Sequence, residues 1–114
     1  MEWTTERRYR RYEDWSSDEI KQINEKMAQS PWHTRYHVEP KTGLLNDPNG
    51  FSYFDGKWIL FYQNFPFGAA HGLKSWVQLE SDDLVHFTET GVKVFPDTPL
   101  DSHGAYSGSA MQFG

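Results

Sequence analysis

An aspartate-glycine pair, Asp55-Gly56, constrains the fold of this chain more than any other feature. It separates two runs rich in aromatic and β-branched residues, 51–54 and 57–63. Two such runs joined by two residues that tolerate positive φ predict a β-hairpin with a type I′ turn. The second run places apolar side chains on both faces, so this strand should be covered on both sides, as in stacked sheets. One face carries Trp58, Leu60 and Tyr62, and the other carries Ile59 and Phe61.

Two further extended runs follow the hairpin. Residues 75–80 alternate, with Val77 and Leu79 on one face, and another run begins at residues 86–89. Four strands in succession, with the inner strands covered, are typical of a β-propeller blade. Residues 106–111 are similar to residues 49–54, about one blade length downstream, and predict the first strand of a second blade.

A short helix is expected before the strands. Ser16 and Glu19 form a predicted capping box at its start, Trp15 and Ile20 are spaced for a hydrophobic staple, and Pro31 ends it. Its apolar stripe, which should dock onto the rest of the chain, consists of Ile20, Ile23 and Met27. We therefore divide the chain into an N-terminal arm with a capped helix (1–31) and a partial propeller domain (32–114).

Composition excludes several functional classes. The chain has no cysteine, so it has neither a disulfide framework nor a thiolate metal site. His33 and His37 are four apart, but Pro31 and the strand-like continuation argue against a helical metal pair, so no metal and no other cofactor is expected.

Charge and hydropathy bear on partners and location. The formal net charge of -5 argues against a nucleic-acid partner. A basic-aromatic run at residues 7–12 could in principle meet phosphates, but its acidic neighbours favour a solvated arm. The sequence has no apolar run of signal-peptide length and none of 18 residues, which predicts a soluble, cytoplasmic protein without a membrane partner.

A polar pentapeptide, residues 46–50, precedes the hairpin and is the first candidate site. Pro48 should hold Asp47 in an extended conformation, and Asn49-Gly50 is typical of a turn. A rigid carboxylate beside two carboxamides can match the donors and acceptors of sugar hydroxyls. The alternative is that these residues form only a turn between two strands.

Four blocks in order give the sequence a family resemblance: residues 36–50, 60–63, 75–87 (Ser75-Trp76 and 81–87) and 101–110. Together they resemble glycoside hydrolase family 32, which comprises invertases, β-fructofuranosidases and sucrose-6-phosphate hydrolases. The resemblance implies an all-β fold, a five-bladed β-propeller followed by a β-sandwich, with the pocket at the propeller axis. It also implies hydrolysis of β-D-fructofuranosides such as sucrose or sucrose 6-phosphate through a fructosyl-enzyme, with retention of configuration.

The resemblance also assigns roles to individual residues. Asp47 would be the nucleophile, Trp76 would wall the sugar pocket, and Tyr106 with Ser107 would complete it. Asn46 and Gln63 would bind fructosyl hydroxyls and orient the nucleophile. Without the resemblance, Trp76 could be an ordinary core residue, and Gln63 could cap a strand edge.

Two blocks of the family have no counterpart among the 114 residues. One is a Glu-Cys block with the proton-donating glutamate, and the other is an Arg-Asp-Pro block. We therefore expect a truncated chain that is inactive or nearly so by itself, and that self-associates through unpaired blade edges. The alternatives are a non-catalytic carbohydrate-binding module and a truncated product without function. A cytoplasmic location favours sucrose 6-phosphate as the substrate of the whole enzyme.

Overall fold

The Asp55-Gly56 turn joins the first two strands of a four-stranded antiparallel sheet in the computed structural model, which describes residues 2–114. The strands are β1 (Leu44–Phe54), β2 (Lys57–Phe65), β3 (Ser75–Ser81) and β4 (Thr88–Val94). They are hydrogen-bonded in the order β1-β2-β3-β4. Asp55 and Gly56 have φ values of 50° and 80°, both positive as a type I′ turn requires. The predicted hairpin and four-stranded meander are confirmed.

Strand β1 starts earlier than predicted and includes the whole polar pentapeptide. The interpretation of these residues as a turn between two strands is therefore wrong. Across β2, Asn46 pairs with Gln63 and Asn49 with Phe61, so β1 uses one residue more than β2 in this interval. A second register shift follows between Asn49 and Ser52. Such bulges bend a strand and redirect its side chains.

The backbone of Asp47 also differs from the sequence-based expectation. Its φ is 44°, in the left-handed region, whereas the following proline predicted an extended conformation. A non-glycine residue adopts this region at an energetic cost, which the surrounding structure must offset. Here the bulge fixes the strand on both sides of Asp47, and the pairing with β2 overrides the local preference.

The remaining strand predictions are confirmed in part. β4 begins at Thr88, slightly later than the predicted run. In β2 only residues 62–65 are buried, so the expected cover on both sides holds for half of the strand. Residues 106–111 form no strand among residues 2–114, because an extended segment becomes a strand only through hydrogen bonds to a neighbour.

Two apolar clusters hold the sheet. One consists of Tyr62, Val77 and Leu79 on a single face, with Val38, Leu45, Leu60, Phe87 and Val92 packed against them. The other lies where the N-terminal segment meets the end of β2. It consists of Trp15, Phe65 and Phe67, with Trp3, Tyr12, Ile23 and Leu44 around them.

The second cluster shows that the N-terminal segment is not the solvated arm that its charges suggested. The Tyr12 hydroxyl donates to the Leu73 carbonyl at 3.0 Å. Burial raises the pKa of Tyr12 to about 12, which keeps the phenol protonated as a donor. The Leu73 amide in turn donates to the Arg8 carbonyl at 2.8 Å. Arg10 also forms an ion pair with Glu19, at 3.0 Å.

The helical segment comprises α1 (Thr5–Arg8), a 3-10 turn (Tyr12–Asp14) and α2 (Ser17–Ala28). The predicted capping box of Ser16 and Glu19 is present at the start of α2. Of the predicted apolar stripe, Ile23 packs against the aromatic cluster, whereas Ile20 is 39% exposed. Trp15 stacks on the ring of Phe67, with the centroids 4.1 Å apart. The division of the chain at residue 31 stays a prediction.

One histidine attaches the segment after α2 to the end of that helix. His33 contacts the Met27 carbonyl through Nε2 at 2.9 Å and the Glu39 carboxylate through Nδ1 at 2.8 Å. Hydrogen bonds from Thr34 and His33 lower the pKa of Glu39 to about 2. The contact with Glu39 raises the pKa of His33. Both ring nitrogens face acceptors, so the doubly protonated imidazolium fits this position best.

This arrangement predicts a pH dependence of the His33 attachment. The contribution of His33 is complete below its ordinary pKa of 6.5 and is lost as the pH rises through its raised value. The contribution of Glu39 is complete above its ordinary pKa of 4.5 and is lost as the pH falls towards about 2. In an NMR titration, the midpoint of the His33 ring protons should fall in Glu39→Gln and stay unchanged in the control Asp82→Asn. Equal midpoints in wild type and Glu39→Gln would contradict the ion pair.

Candidate functional site

The Asp47 carboxylate lies on the bulged part of β1, where the backbone conformation described above presents it on the surface. Its Oδ2 atom accepts a hydrogen bond from the Ser107 hydroxyl, which is 60 residues away along the chain. The Asn49 amide donates to the same oxygen at 3.3 Å. Two donors from different segments therefore meet at one oxygen of this carboxylate.

Asn46 and Gln63 form the second part of the site. They are partners in the register of β1 and β2, and Asn46 Nδ2 donates to Gln63 Oε1 at 3.0 Å. Gln63 Nε2 donates to the Ala105 carbonyl. Gln63 is only 4% exposed and lies in an inner strand, so the interpretation that it caps a sheet edge is wrong. Both hydrogen bonds fix the orientation of its carboxamide.

Trp76 lies next to Gln63 in the register of β2 and β3. Its indole Nε1 donates to the Ala105 carbonyl at 3.0 Å, so that one carbonyl accepts from both Trp76 and Gln63. These two bonds anchor the segment that carries Ser107. Although Trp76 is only 7% exposed, it borders a cavity of about 260 Å³ together with Asn49, Phe61 and Tyr106. It is therefore both a buried residue and part of a cavity wall.

The predicted site residues thus come together around residues 105–107. Asp47, Asn46, Gln63, Trp76 and Ser107 belong to two small hydrogen-bond networks linked through this segment. Tyr106 lies between them on the cavity, but it is 76% exposed and its hydroxyl has no hydrogen bond within residues 2–114.

Sequence reasoning missed one participant and one contact of the site. The Ala105 carbonyl anchors the site, but every residue has a carbonyl, so no sequence signal could have pointed to it. Asn49 was expected as a turn residue and as one of the two carboxamides of the pentapeptide, but its hydrogen bond to the Asp47 carboxylate was not predicted, although its position two residues after Asp47 could have suggested the contact. The structure adds both contacts to the site.

The arrangement suits the binding and attack of a polyhydroxylated molecule. The carboxamides of Asn46 and Gln63 can donate to and accept from hydroxyls, and the indole of Trp76 offers an apolar wall. The Asp47 carboxylate can act as a nucleophile towards an electrophilic carbon. Within residues 2–114 no group of three or more acidic or histidine side chains is placed to hold a metal ion. No helix in that range has the length and apolar character needed to cross a membrane.

The chain is similar to one protein family and to several individual proteins. Residues 37–114 match the model of the glycosyl hydrolases family 32 N-terminal domain. The chain is 72% identical over 107 residues to the sucrose-6-phosphate hydrolase of Streptococcus mutans, covering 94% of this chain and 22% of that protein. It is 58% identical over 113 residues to the sucrose-6-phosphate hydrolase of Lactococcus lactis, covering 99% of this chain and 24% of that protein.

Solved structures give the same picture. The sucrose-6-phosphate hydrolase of Lactobacillus gasseri superposes with a TM-score of 0.92 at 51% identity, covering 98% of this chain and 23% of that chain. A β-fructofuranosidase of family 32 from Bombyx mori superposes with a TM-score of 0.67 at 30% identity, covering 88% of this chain and 22% of that one. The chain spans less than a quarter of the length of each of these relatives.

Proposed function

We propose a function from the premise that this chain belongs to glycosyl hydrolase family 32. In this proposal the chain supplies the nucleophile and one wall of the sugar pocket of an enzyme that hydrolyses β-D-fructofuranosides. The observation that supports this proposal is the Asp47 carboxylate, which accepts hydrogen bonds from Ser107 and from Asn49, a residue that borders the same cavity as Trp76. The relatives in Streptococcus mutans and Lactococcus lactis are sucrose-6-phosphate hydrolases, so we favour sucrose 6-phosphate over sucrose as the substrate. Because sugar phosphates are intracellular species, we also propose a cytoplasmic enzyme.

The proposed reaction has two steps and begins with Asp47. Its carboxylate attacks the anomeric carbon of the fructosyl unit, a carbon-oxygen ester bond forms, and the bond to the leaving sugar oxygen breaks. That oxygen takes up a proton from a general acid. Water then gives a proton to the conjugate base of that acid and attacks the same carbon from the side opposite to the ester, which releases fructose with its original configuration and restores both the acid and the carboxylate.

The other site residues act on the sugar. The carboxamides of Asn46 and Gln63 bind fructosyl hydroxyls, and their mutual hydrogen bond holds them in place before the sugar arrives. Trp76 limits the space available to the ring, and its bond to Ala105 keeps the indole fixed. The proposed site therefore needs little rearrangement to accept its substrate.

The family resemblance assigns the proton donor to a glutamate in a Glu-Cys block, which these 114 residues do not include. We therefore propose that this chain, tested by itself, shows no sustained turnover. Loss of leaving-group protonation alone costs a factor on the order of 10²–10⁴. The missing activity should return in a chimaera, defined here as the Streptococcus mutans enzyme in which this chain replaces the segment that it matches.

Two assays test the proposed function. The chimaera should hydrolyse sucrose 6-phosphate, with a higher kcat/KM than for sucrose, while the isolated chain should not. With β-D-fructofuranosyl fluoride, whose leaving group needs little protonation, acid-quenched chimaera should carry one fructosyl group on Asp47, seen by intact mass and peptide mapping. Label on another carboxylate, with turnover intact, would overturn the assignment of the nucleophile. A carbohydrate-binding module would bind the sugar without label or turnover.

A further inference from the structure

We infer that Asn49 and Ser107 are positioning residues that occupy Oδ2 of Asp47 and thereby leave Oδ1 as the attacking atom. This inference rests on the proposed function, because it specifies how the proposed nucleophile is held. The Ser107 hydroxyl and the Asn49 amide both donate to Oδ2, and the Asn49 bond is 3.3 Å long. Within residues 2–114 no side chain donates to Oδ1 of Asp47.

The two oxygens of a carboxylate are equivalent only while it can rotate. A hydrogen bond to one oxygen restrains rotation about the Cβ–Cγ bond, and donors to a charged acceptor are strong ones. An oxygen that already accepts two hydrogen bonds has its lone pairs occupied, so it is a poor nucleophile. The free oxygen is then the one that can approach the anomeric carbon.

The donors come from different parts of the fold. Asn49 lies two residues after Asp47 on β1, between the two register shifts of that strand. Ser107 belongs to the segment that Gln63 and Trp76 anchor through the Ala105 carbonyl. The orientation of the nucleophile is therefore coupled to Gln63 and Trp76, two of the residues proposed to act on the sugar.

The contacts of Asn49 distinguish this role from that of an ordinary turn residue. A turn asparagine uses its side chain to satisfy nearby backbone groups. Here its amide makes one hydrogen bond within residues 2–114, to Asp47, and its Oδ1 is buried without a partner. The reverse orientation of the amide would place its oxygen against the carboxylate, where the two acceptors repel, so Nδ2 faces Asp47.

The test uses the chimaera. Asn49→Ala and Ser107→Ala should each lower kcat by about 10- to 100-fold, the range expected for one hydrogen bond to a charged group, with KM changed less than about threefold. Two controls remove the same groups elsewhere: Asn24→Ala lies on the exposed face of α2, and Ser102→Ala lies outside the site. Both controls should retain wild-type kcat.

The isosteric variant Asn49→Asp gives a readout that a purely structural role would not change. In this variant the new carboxyl group cannot donate while it is ionised, and it then repels Asp47, whereas its protonated form can donate. The activity of the variant relative to wild type should therefore rise as the pH falls below about 5, near the ordinary range for carboxyl groups. Thermal unfolding of each variant shows whether the fold is intact, and Asn49→Asp replaces Asn49→Ala if the latter does not fold.

The outcomes separate this inference from the proposed function. If Asp47→Asn abolishes turnover while Asn49→Ala and Ser107→Ala retain wild-type kcat, the positioning role is wrong and the proposed nucleophile stands. A raised KM with unchanged kcat in either variant would make that residue a sugar-binding residue instead, which also overturns the inference. An Asn49→Asp variant with the wild-type pH profile would overturn the role of Asn49. If Asp47→Asn retains turnover, the proposed function itself fails.

Discussion

Replacement of Asp47 by asparagine in the chimaera should lower kcat for sucrose 6-phosphate by a factor of roughly 10⁴ or more, as expected when a covalent nucleophile is removed. Asparagine has the shape of aspartate, and its amide oxygen can still accept the hydrogen bond from Ser107. The fold and the sugar pocket should therefore survive, while the attacking carboxylate oxygen is lost. Steady-state kinetics and a thermal unfolding curve of the same preparation measure both properties.

The matched control is Asp82→Asn, which changes an exposed carboxylate whose partner is Lys57 at 3.2 Å. This variant should retain wild-type kcat and a closely similar unfolding temperature. If Asp47→Asn also retains activity, the nucleophile is another group and the proposed function is wrong.

A second variant at the same position tests the covalent mechanism. Asp47→Gly removes the carboxylate at a φ of 44°, a value that glycine adopts without strain. With β-D-fructofuranosyl fluoride as substrate, added azide should restore turnover, because a small anion can enter the space of the lost side chain. The product should be the fructosyl azide of inverted configuration. Rescue with retention would contradict Asp47 as the group that attacks first.

Phe65→Ala should lower the free energy of unfolding of the chain by about 3–5 kcal/mol, the usual cost of truncating a fully buried phenylalanine. Phe65 has no exposed surface and is the residue where the sheet meets the N-terminal segment. Its ring packs edge-on against Trp3 and against Phe67, each with centroids 5.6 Å apart. Removing the ring leaves a cavity between rigid neighbours that cannot collapse to fill it.

Urea unfolding followed by tryptophan fluorescence measures this loss, since Trp3 and Trp15 both belong to the affected cluster. The control is Phe113→Ala, because Phe113 is 84% exposed and its truncation should change stability by no more than about 0.5 kcal/mol. Equal effects of the two substitutions would show that the N-terminal segment does not pack on the sheet as described.

Several parts of the fold follow from short-range signals in the sequence. The Asp55-Gly56 turn depends on two residues that accept positive φ, and the Ser16–Glu19 capping box on side chains three residues apart. The alternation of apolar and polar residues in β3 requires only that one face of the strand packs against an apolar cluster. Each signal concerns residues close together in the chain, so each could be predicted without a tertiary structure.

The N-terminal segment shows where such reasoning fails. Its basic and acidic residues predicted a solvated arm, yet Tyr12 bonds to a carbonyl 61 residues away and Trp15 stacks on Phe67. The sequence contains the aromatic residues but no local pattern that pairs them. Only the folded chain brings these rings to the end of β2.

By itself, the sequence determined the hairpin, the order of the strands and the capped helix, and through the family resemblance it predicted residues of the candidate site. Tertiary structure alone decided the left-handed backbone of Asp47, the bulges on both sides of Asn49 and the common acceptor at Ala105. The physical reason is that these features arise from pairing between distant segments. That pairing overrides the extended preference of a residue before proline and uses a backbone carbonyl, which is the same in every residue type.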